Sequence, residues 1–373
     1  MKNVALYIHI PFCKQKCLYC DFPSYAGMEE HMIHYSTALA KEINSIKDKK
    51  IKTIFIGGGT PTYLSLAGWE IIKKSIYTLD TAGDLEFTVE GNPGTFTREK
   101  LNLFKKMGVN RLSIGLQAFQ DTLLKDLGRI HTIYDFKQSF EMARDLGFHN
   151  INIDLMFGLP GQTLAQWKET LENVTALSPE HLSCYSLIIE EGTAFYKRFE
   201  QGTLSLPTEE IERNMYHETL EYLREKGYSQ YEISNFEKGK RQCRHNLVYW
   251  DLEEYIGCGS AAHSYSDGFR YRNEENVENY IEKINTEGSA IVEKKKNSTV
   301  ADMEEFMFMG LRKTMGISKI EFTKRFKKDI HSVYEVVINK YTSAGFMVEN
   351  KENIFLTHEG IEVSNVIMAE FLL

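Results

Sequence analysis

The chain has 373 residues, 42% of them hydrophobic and 26% charged, a balance that fits a globular protein with a sizeable core and more than one domain. A formal net charge of -8 argues against a general nucleic-acid binder, and no apolar run approaches the roughly 20 residues of a membrane span. Met1-Lys2-Asn3 leads straight into a strand-like segment without a secretory signal, so a cytoplasmic protein with at most peripheral membrane contact is expected.

The first element is an apolar strand, Val4 to Ile10, closed by Pro11. Directly after it come Cys13, Cys17 and Cys20 at C-x3-C-x2-C spacing, three of the chain's six cysteines. Six cysteines in so long a chain do not make a disulfide scaffold, and the cluster of three points to a metal. Three thiolates are one short of a four-ligand structural zinc site, which would need a ligand from elsewhere. They suit a cubane iron–sulfur cluster with one iron left open.

Beyond the cysteine loop the pattern alternates. Apolar residues at three- and four-residue intervals predict a helix over 29–48. A strand over 52–56 runs into Gly57-Gly58-Gly59-Thr60-Pro61-Thr62, and a helix follows at 66–79. A strand over 85–89 ends in Glu90-Gly91-Asn92-Pro93, and its helix, 97–107, stops at a C-capping Gly108. Strands at 111–116, 150–156 and 181–187 alternate with helices at 133–146, 163–177 and 207–226. Six strand-then-helix units argue for parallel strands with helical crossovers. Six are too few to close an eight-fold barrel, so the expected fold is α/β, an open, partial (β/α)6 barrel with its site on the C-terminal face of the strands. The division expected is 1–206 for the barrel, 207–297 for a connecting segment that covers its open side, and 298–373 for a small unit. The charged run Glu293-Lys294-Lys295-Lys296-Asn297 reads as a linker. The last unit, three helices and a hairpin near 346–357, suggests a winged-helix shape with a structural role, since no basic recognition helix is evident.

Polar residues gather at the strand ends: Glu90, Gln117, Asp154 within its strand, and Arg129 in the connection Leu127-Gly128-Arg129-Ile130-His131. Arginine binds carboxylates bidentately, acids accept from ribose hydroxyls, and a Gly run admits a ligand close to the backbone. Each taken alone is as compatible with a structural charge or a plain turn; converging on one barrel face they describe a nucleoside-and-amino-acid site.

The cysteine loop resembles that of the radical SAM superfamily. The resemblance implies that Cys13, Cys17 and Cys20 hold a 4Fe-4S cluster whose open iron binds S-adenosylmethionine. Tyr7-Ile8-His9-Ile10-Pro11-Phe12-Cys13, the Gly57–Thr62 run, Arg111-Leu112-Ser113-Ile114-Gly115-Leu116-Gln117, Leu127–His131 and Gly158-Leu159-Pro160-Gly161-Gln162-Thr163 are similar to the oxygen-independent coproporphyrinogen III oxidases and their relatives, over nearly the whole chain. By that likeness Tyr7, Tyr19, Gly58, Gly59, Thr60, Glu90, Gln117, Arg129 and Asp154 contact S-adenosylmethionine.

Two departures matter. Phe22 stands where the oxidase pattern has a fourth cysteine, and the chain begins almost at its first strand where the oxidases carry an extension. The string His245-Asn246-Leu247-Val248-Tyr249-Trp250, H-N-x-x-Y-W, resembles the HemW branch of that family, described as haem chaperones. The likeness implies haem as cargo, recipients such as respiratory enzymes, an electron donor for the cluster and a plausible homodimer, and it puts porphyrinogen decarboxylation in doubt. His245 is the candidate axial ligand, with Tyr249 and Trp250 against the porphyrin face; the competing reading is a core histidine with aromatic neighbours. Cys243, two residues before His245, is a further candidate haem contact or an ordinary buried thiol.

Overall fold

The computed structural model describes residues 2–373. Six parallel strands form its centre: β1 (Lys2–Ile10), β2 (Lys49–Gly58), β3 (Thr81–Gly91), β4 (Arg111–Gln117), β5 (Ile151–Phe157) and β6 (His181–Ser186), neighbours in that order. The helices between them begin and end where the sequence signals. Thr132 with Asp135, and Thr163 with Gln166, form capping boxes at the starts of Ile133–Asp145 and Leu164–Ala176. Gly108 ends the helix Arg98–Met107 in the left-handed region, with φ 88°. Two short helices, Asp121–Asp126 and Ala194–Glu200, lie in segments where periodicity gave no signal.

Alternation along β1 sorts its side chains. Val4, Leu6, Ile8 and Ile10 are buried and pack with Tyr35, Leu39 and Ile43 of the helix Met32–Asn44. The opposite face carries Tyr7 and His9 towards the concave side of the sheet. Trp69 and Phe104 meet edge to face at 4.7 Å, filling the space between two crossover helices.

The segment between the barrel and the last unit extends the sheet at both ends. β7 (Ser229–Glu232) and β8 (Asn235–Glu237) add beyond β6, and β9 (Tyr255–Cys258), β10 (His263–Ser266), β11 (Phe269–Asn273) and β12 (Ile291–Lys296) add beyond β1. The result is one open sheet of 12 strands among the described residues, parallel from β9 to β6 and antiparallel at its flanks. The charged run is therefore not a linker. Glu293 to Lys296 belong to the exposed edge strand β12, paired with β11, where a row of charges discourages further strand addition.

The C-terminal unit has the anticipated three helices, Thr299–Gly310, Lys319–Phe326 and His331–Ser343. A small sheet joins β13 (Ile317–Ser318), β14 (Met347–Glu349) and β15 (Asn353–Leu356), and two short helices close the chain. Its core of Phe306, Phe322, Phe326 and Tyr334 also takes in Leu252 and Tyr265 from the preceding segment. Backbone bonds Ile233 N–H to Arg312 O (3.0 Å) and Thr314 N–H to Tyr231 O (3.1 Å) tie it to β7.

Candidate functional site

The strands' C-terminal ends surround a cavity of about 530 Å³. Cys13, Cys17 and Cys20 form one side of it, and Gly58, Gly59, Glu90, Gln117, Arg129 and Asp154 line the rest. The cysteine loop is seated by backbone bonds: Cys13 N–H to Tyr25 O (2.9 Å), Leu18 N–H to Leu127 O (3.0 Å) and Cys20 N–H to Cys17 O (3.2 Å). The glycine run is what lets it sit there. Gly58 has φ +111°, and a Cβ on it would lie 2.5 Å from the His9 ring; a Cβ on Gly59 would lie 2.8 Å from the Phe12 carbonyl and 3.1 Å from the Cys13 sulfur. The close approach is thus made by the cysteine loop as well as by any ligand.

Arg129 organises the opposite wall. One terminal nitrogen donates to Asn92 Oδ1 (2.8 Å) and the other to the Tyr19 hydroxyl (2.8 Å), so a fixed cation links the β3 end to the cysteine loop. Its buried Nε has no partner among the described residues. Asn92 also donates to Thr60 Oγ1 (2.9 Å), which lies 3.5 Å from Cys13 Sγ. Asn92 was not singled out from sequence; its place in Glu90-Gly91-Asn92-Pro93 at a strand end was the available signal. Gln117, at the end of β4, adopts φ 75°, a left-handed conformation that a non-glycine residue holds only when its surroundings enforce it.

Two acids complete the cavity. Asp154 accepts from Ser113 Oγ (3.0 Å) and Asn152 Nδ2 (2.7 Å); burial raises its pKa against these bonds. Burial, then the Asp154 charge, pushes Glu90 up to about 8. The buried Arg111 charge opposes both shifts, but burial outweighs it, so both carboxyls resist ionisation.

Most of the expected S-adenosylmethionine residues therefore converge. Two stand apart from the cavity lining: Thr60 lies behind the cysteine loop, and Tyr7 turns its ring into a second cavity, its hydroxyl 2.9 Å from His9 Nδ1. The donor set fits an iron–sulfur cluster: three thiols on one rim, facing a cation and two acids across an open space. As the side chains stand, no group of three or more His, Cys, Asp or Glu is closed into metal-ligand geometry among the described residues.

The H-N-x-x-Y-W residues fall outside this first cavity. His245, on the helix Arg244–Trp250, is 1% exposed. Its Nδ1 pairs with Thr53 Oγ1 and its Nε2 with the Tyr249 hydroxyl, both at 2.9 Å, and its ring stacks on Phe55 at 5.1 Å. Burial, then the charges of Arg111 and Lys52, drives its pKa down to about 3. Both ring nitrogens are thus hydrogen-bonded within the protein. Trp250 lies under the Arg312 guanidinium at 4.5 Å rather than against a free face. Cys243 is buried beside Glu86. Of the motif, Tyr249 alone lines a cavity, the second one, with Tyr7 and His9.

Comparison with known proteins agrees with this architecture. The sequence profile of the Radical SAM superfamily matches residues 7–174, and that of the HemN C-terminal domain matches 301–363. The chain is 42% identical to the heme chaperone HemW of Bacillus subtilis over 99% of each chain. The chain belongs to the HemW family. Another member, the heme chaperone HemW of Lactococcus lactis, is 37% identical over 100% of this chain and 98% of its own. Among solved structures, the coproporphyrinogen III oxidase HemN of Escherichia coli superposes with a TM-score of 0.87, covering 100% of this chain and 90% of that one. At 21% identity that likeness shows a shared fold. No helix among the described residues is long and apolar enough to cross a membrane.

Proposed function

We propose that this protein is a haem chaperone: it binds haem and passes it to haem proteins such as respiratory enzymes, on a scaffold that holds a 4Fe-4S cluster and S-adenosylmethionine. The observation that carries the reading is the match to HemW chaperones along the whole chain, at 42% identity over 99% of both chains. Coproporphyrinogen oxidation rests on a shared fold alone, and Phe22, not cysteine, stands two residues after the third thiol.

In this reading Cys13, Cys17 and Cys20 hold the cluster, leaving one iron for the amino acid end of S-adenosylmethionine. The bound pair supplies one-electron reductive chemistry. Arg129 offers a fixed positive charge to the ligand's carboxylate, positioned by Asn92 and Tyr19. Glu90 and Asp154 receive the ligand's cationic and hydroxyl groups; a positive charge beside them favours their ionised forms and reverses the upward shifts caused by burial. Gln117 closes the end of β4 against the same space. The barrel, residues 1–206, carries this chemistry, the segment 207–297 the haem-directed residues, and 298–373 buttresses both. Haem, a haem-accepting protein and an electron donor are the partners of this scheme, with a homodimer as the assembly to test by light scattering, in the cytoplasm.

Anaerobic cluster reconstitution followed by parallel hemin titration and porphyrinogen assays tests the proposal. A saturable, stoichiometric Soret change without turnover is expected. Multiple-turnover conversion of coproporphyrinogen III to protoporphyrinogen IX, or no saturable haem signal, would overturn it.

A further inference from the structure

His245 is buried with both ring nitrogens hydrogen-bonded, and the structure offers a more accessible imidazole. The second cavity, about 340 Å³, lies on the other side of the cysteine loop from the first, and Phe22 lines both. Its walls are aromatic: Tyr7, Phe22, Tyr249 and Tyr255, with Tyr249 and Tyr255 packed edge to face at 4.7 Å. Phe22 stands 60% exposed at its lip. His263 and Arg272, directly opposite each other on β10 and β11, share the remaining side with Ala261 and the carboxylate Glu275.

We propose that this groove is the haem site, with His263 as the axial ligand, the tyrosines and Phe22 against the porphyrin faces and Arg272 beside a propionate. The inference rests on the haem-chaperone reading and names the site that reading requires.

Three features select this groove. First, it presents an imidazole that can reach iron. His263 is exposed, and no hydrogen bond contributes to its titration, which is set by burial, then by Arg272 and Arg270 against Glu293; together these lower its pKa, favouring the neutral ring that binds iron. The other histidine of the groove, His9, is closed off at both nitrogens by the Tyr7 hydroxyl (2.9 Å) and the Pro23 carbonyl (2.8 Å). The large first cavity has no histidine in its lining. Second, the chemistry of the walls matches a porphyrin, which is flat and apolar on both faces and anionic at one edge. Arg272 is held at the rim by Glu293 through Nε (2.9 Å), which leaves its terminal nitrogens for a carboxylate. Third, the placement gives H-N-x-x-Y-W a role in shaping the groove. His245 holds the Tyr249 hydroxyl at 2.9 Å and so fixes the tyrosine ring that walls the groove. A cavity of this size embraces part of a macrocycle and leaves the rest accessible, as a carrier that must release its cargo requires.

The test is hemin titration of the full chain, wild type against His263→Ala, followed by absorbance and electron paramagnetic resonance. Loss of a first ligand should cost at least the roughly 10- to 100-fold typical of lost outer-shell support, and the histidine-ligated iron spectrum should vanish. Added imidazole should restore that spectrum in His263→Ala, which a merely structural role of His263 would not allow. Wild type that binds hemin while His263→Ala keeps the same affinity and spectrum overturns the assignment and leaves the chaperone reading standing. Wild type without saturable hemin binding overturns both. A melting temperature of His263→Ala equal to wild type is expected for an exposed side chain and makes the comparison direct.

Discussion

Gly58→Ala isolates the force that seats the cysteine loop on the barrel. Gly58 has φ +111°, outside the regions open to residues with a Cβ, and the added methyl would lie 2.5 Å from Cε1 and Nδ1 of His9. His9 cannot swing aside, because it is buried and bonded at both nitrogens to Tyr7 and Pro23. The backbone contribution is roughly 1–2 kcal/mol and the overpacking contribution roughly 1–3 kcal/mol, so Gly58→Ala should destabilise the chain by about 2–5 kcal/mol. Gly27→Ala is the control: its φ is also positive, +74°, but nothing lies within 4 Å of the added carbon. It should therefore cost only the backbone part, about 1–2 kcal/mol. Denaturant midpoints followed by circular dichroism on the same preparation measure both. If the two variants agree within about 0.5 kcal/mol, the glycine run is not there to admit His9 and the loop, and the packing account of the motif fails.

Cys17→Ser should remove the brown cluster absorbance and most bound iron after reconstitution; an intact cluster in that variant would refute the three-thiol assignment. Replacing Arg129 by Lys gives up the fork that spans Asn92 and Tyr19, so S-adenosylmethionine affinity should fall about tenfold, roughly 1.4 kcal/mol, while iron loading persists; calorimetry decides. His245→Ala leaves Thr53 and Tyr249 each without a partner, at about 1–3 kcal/mol per orphaned group, and should lower the denaturant midpoint while the histidine-ligated haem spectrum survives. Acid should destabilise the fold early. His245 at about 3 and His131 at about 4 both lie below the ordinary value of 6.5, chiefly through burial. The unfolded chain takes up these protons first, so stability is complete above pH 6.5 and is lost as pH falls towards 4. At pH 5 the loss is about 2 kcal/mol for each histidine; a flat stability profile between pH 7 and 5 would contradict their burial as neutral rings.

The barrel was readable because each of its strands is bounded by a chemical signal that local physics obeys. Thr132, Thr163 and Gly108 mark helix ends in sequence and cap them in the fold. The three thiols, Glu90, Gln117, Arg129 and Asp154 were readable for a related reason: parallel topology brings every strand's C-terminal end to one face. The flanking strands were not readable, since β7 to β12 are short and gain their stability from pairing with a sheet edge hundreds of residues away in places, which no local pattern encodes. The charged strand β12 is the clearest case, its burial pattern being exposed throughout. His245 illustrates the same limit at a site. Its sequence neighbours left open a haem ligand or a core histidine among aromatics, and only the fold shows that Thr53 and Phe55, on a strand far away in the chain, pack against it.

One segment joins the two cavities, and in the proposed scheme it links the cluster's loop to the haem groove. Cys20 lines the first cavity, Phe22 lines both, and the Pro23 carbonyl receives His9 from the floor of the second. His9 in turn carries the Tyr7 hydroxyl, and the Tyr7 ring lies beside Phe55, on which His245 stacks. The chain of contacts thus runs from a cluster cysteine to the H-N-x-x-Y-W motif through packed, hydrogen-bonded groups. A cysteine at position 22 would place a fourth thiol on this bridge; phenylalanine places an apolar surface there, 60% exposed and facing the groove. In the haem-site proposal that apolar surface is one of the contacts offered to the flat ligand. The departure from the oxidase pattern is therefore located where the cluster's loop and the groove meet.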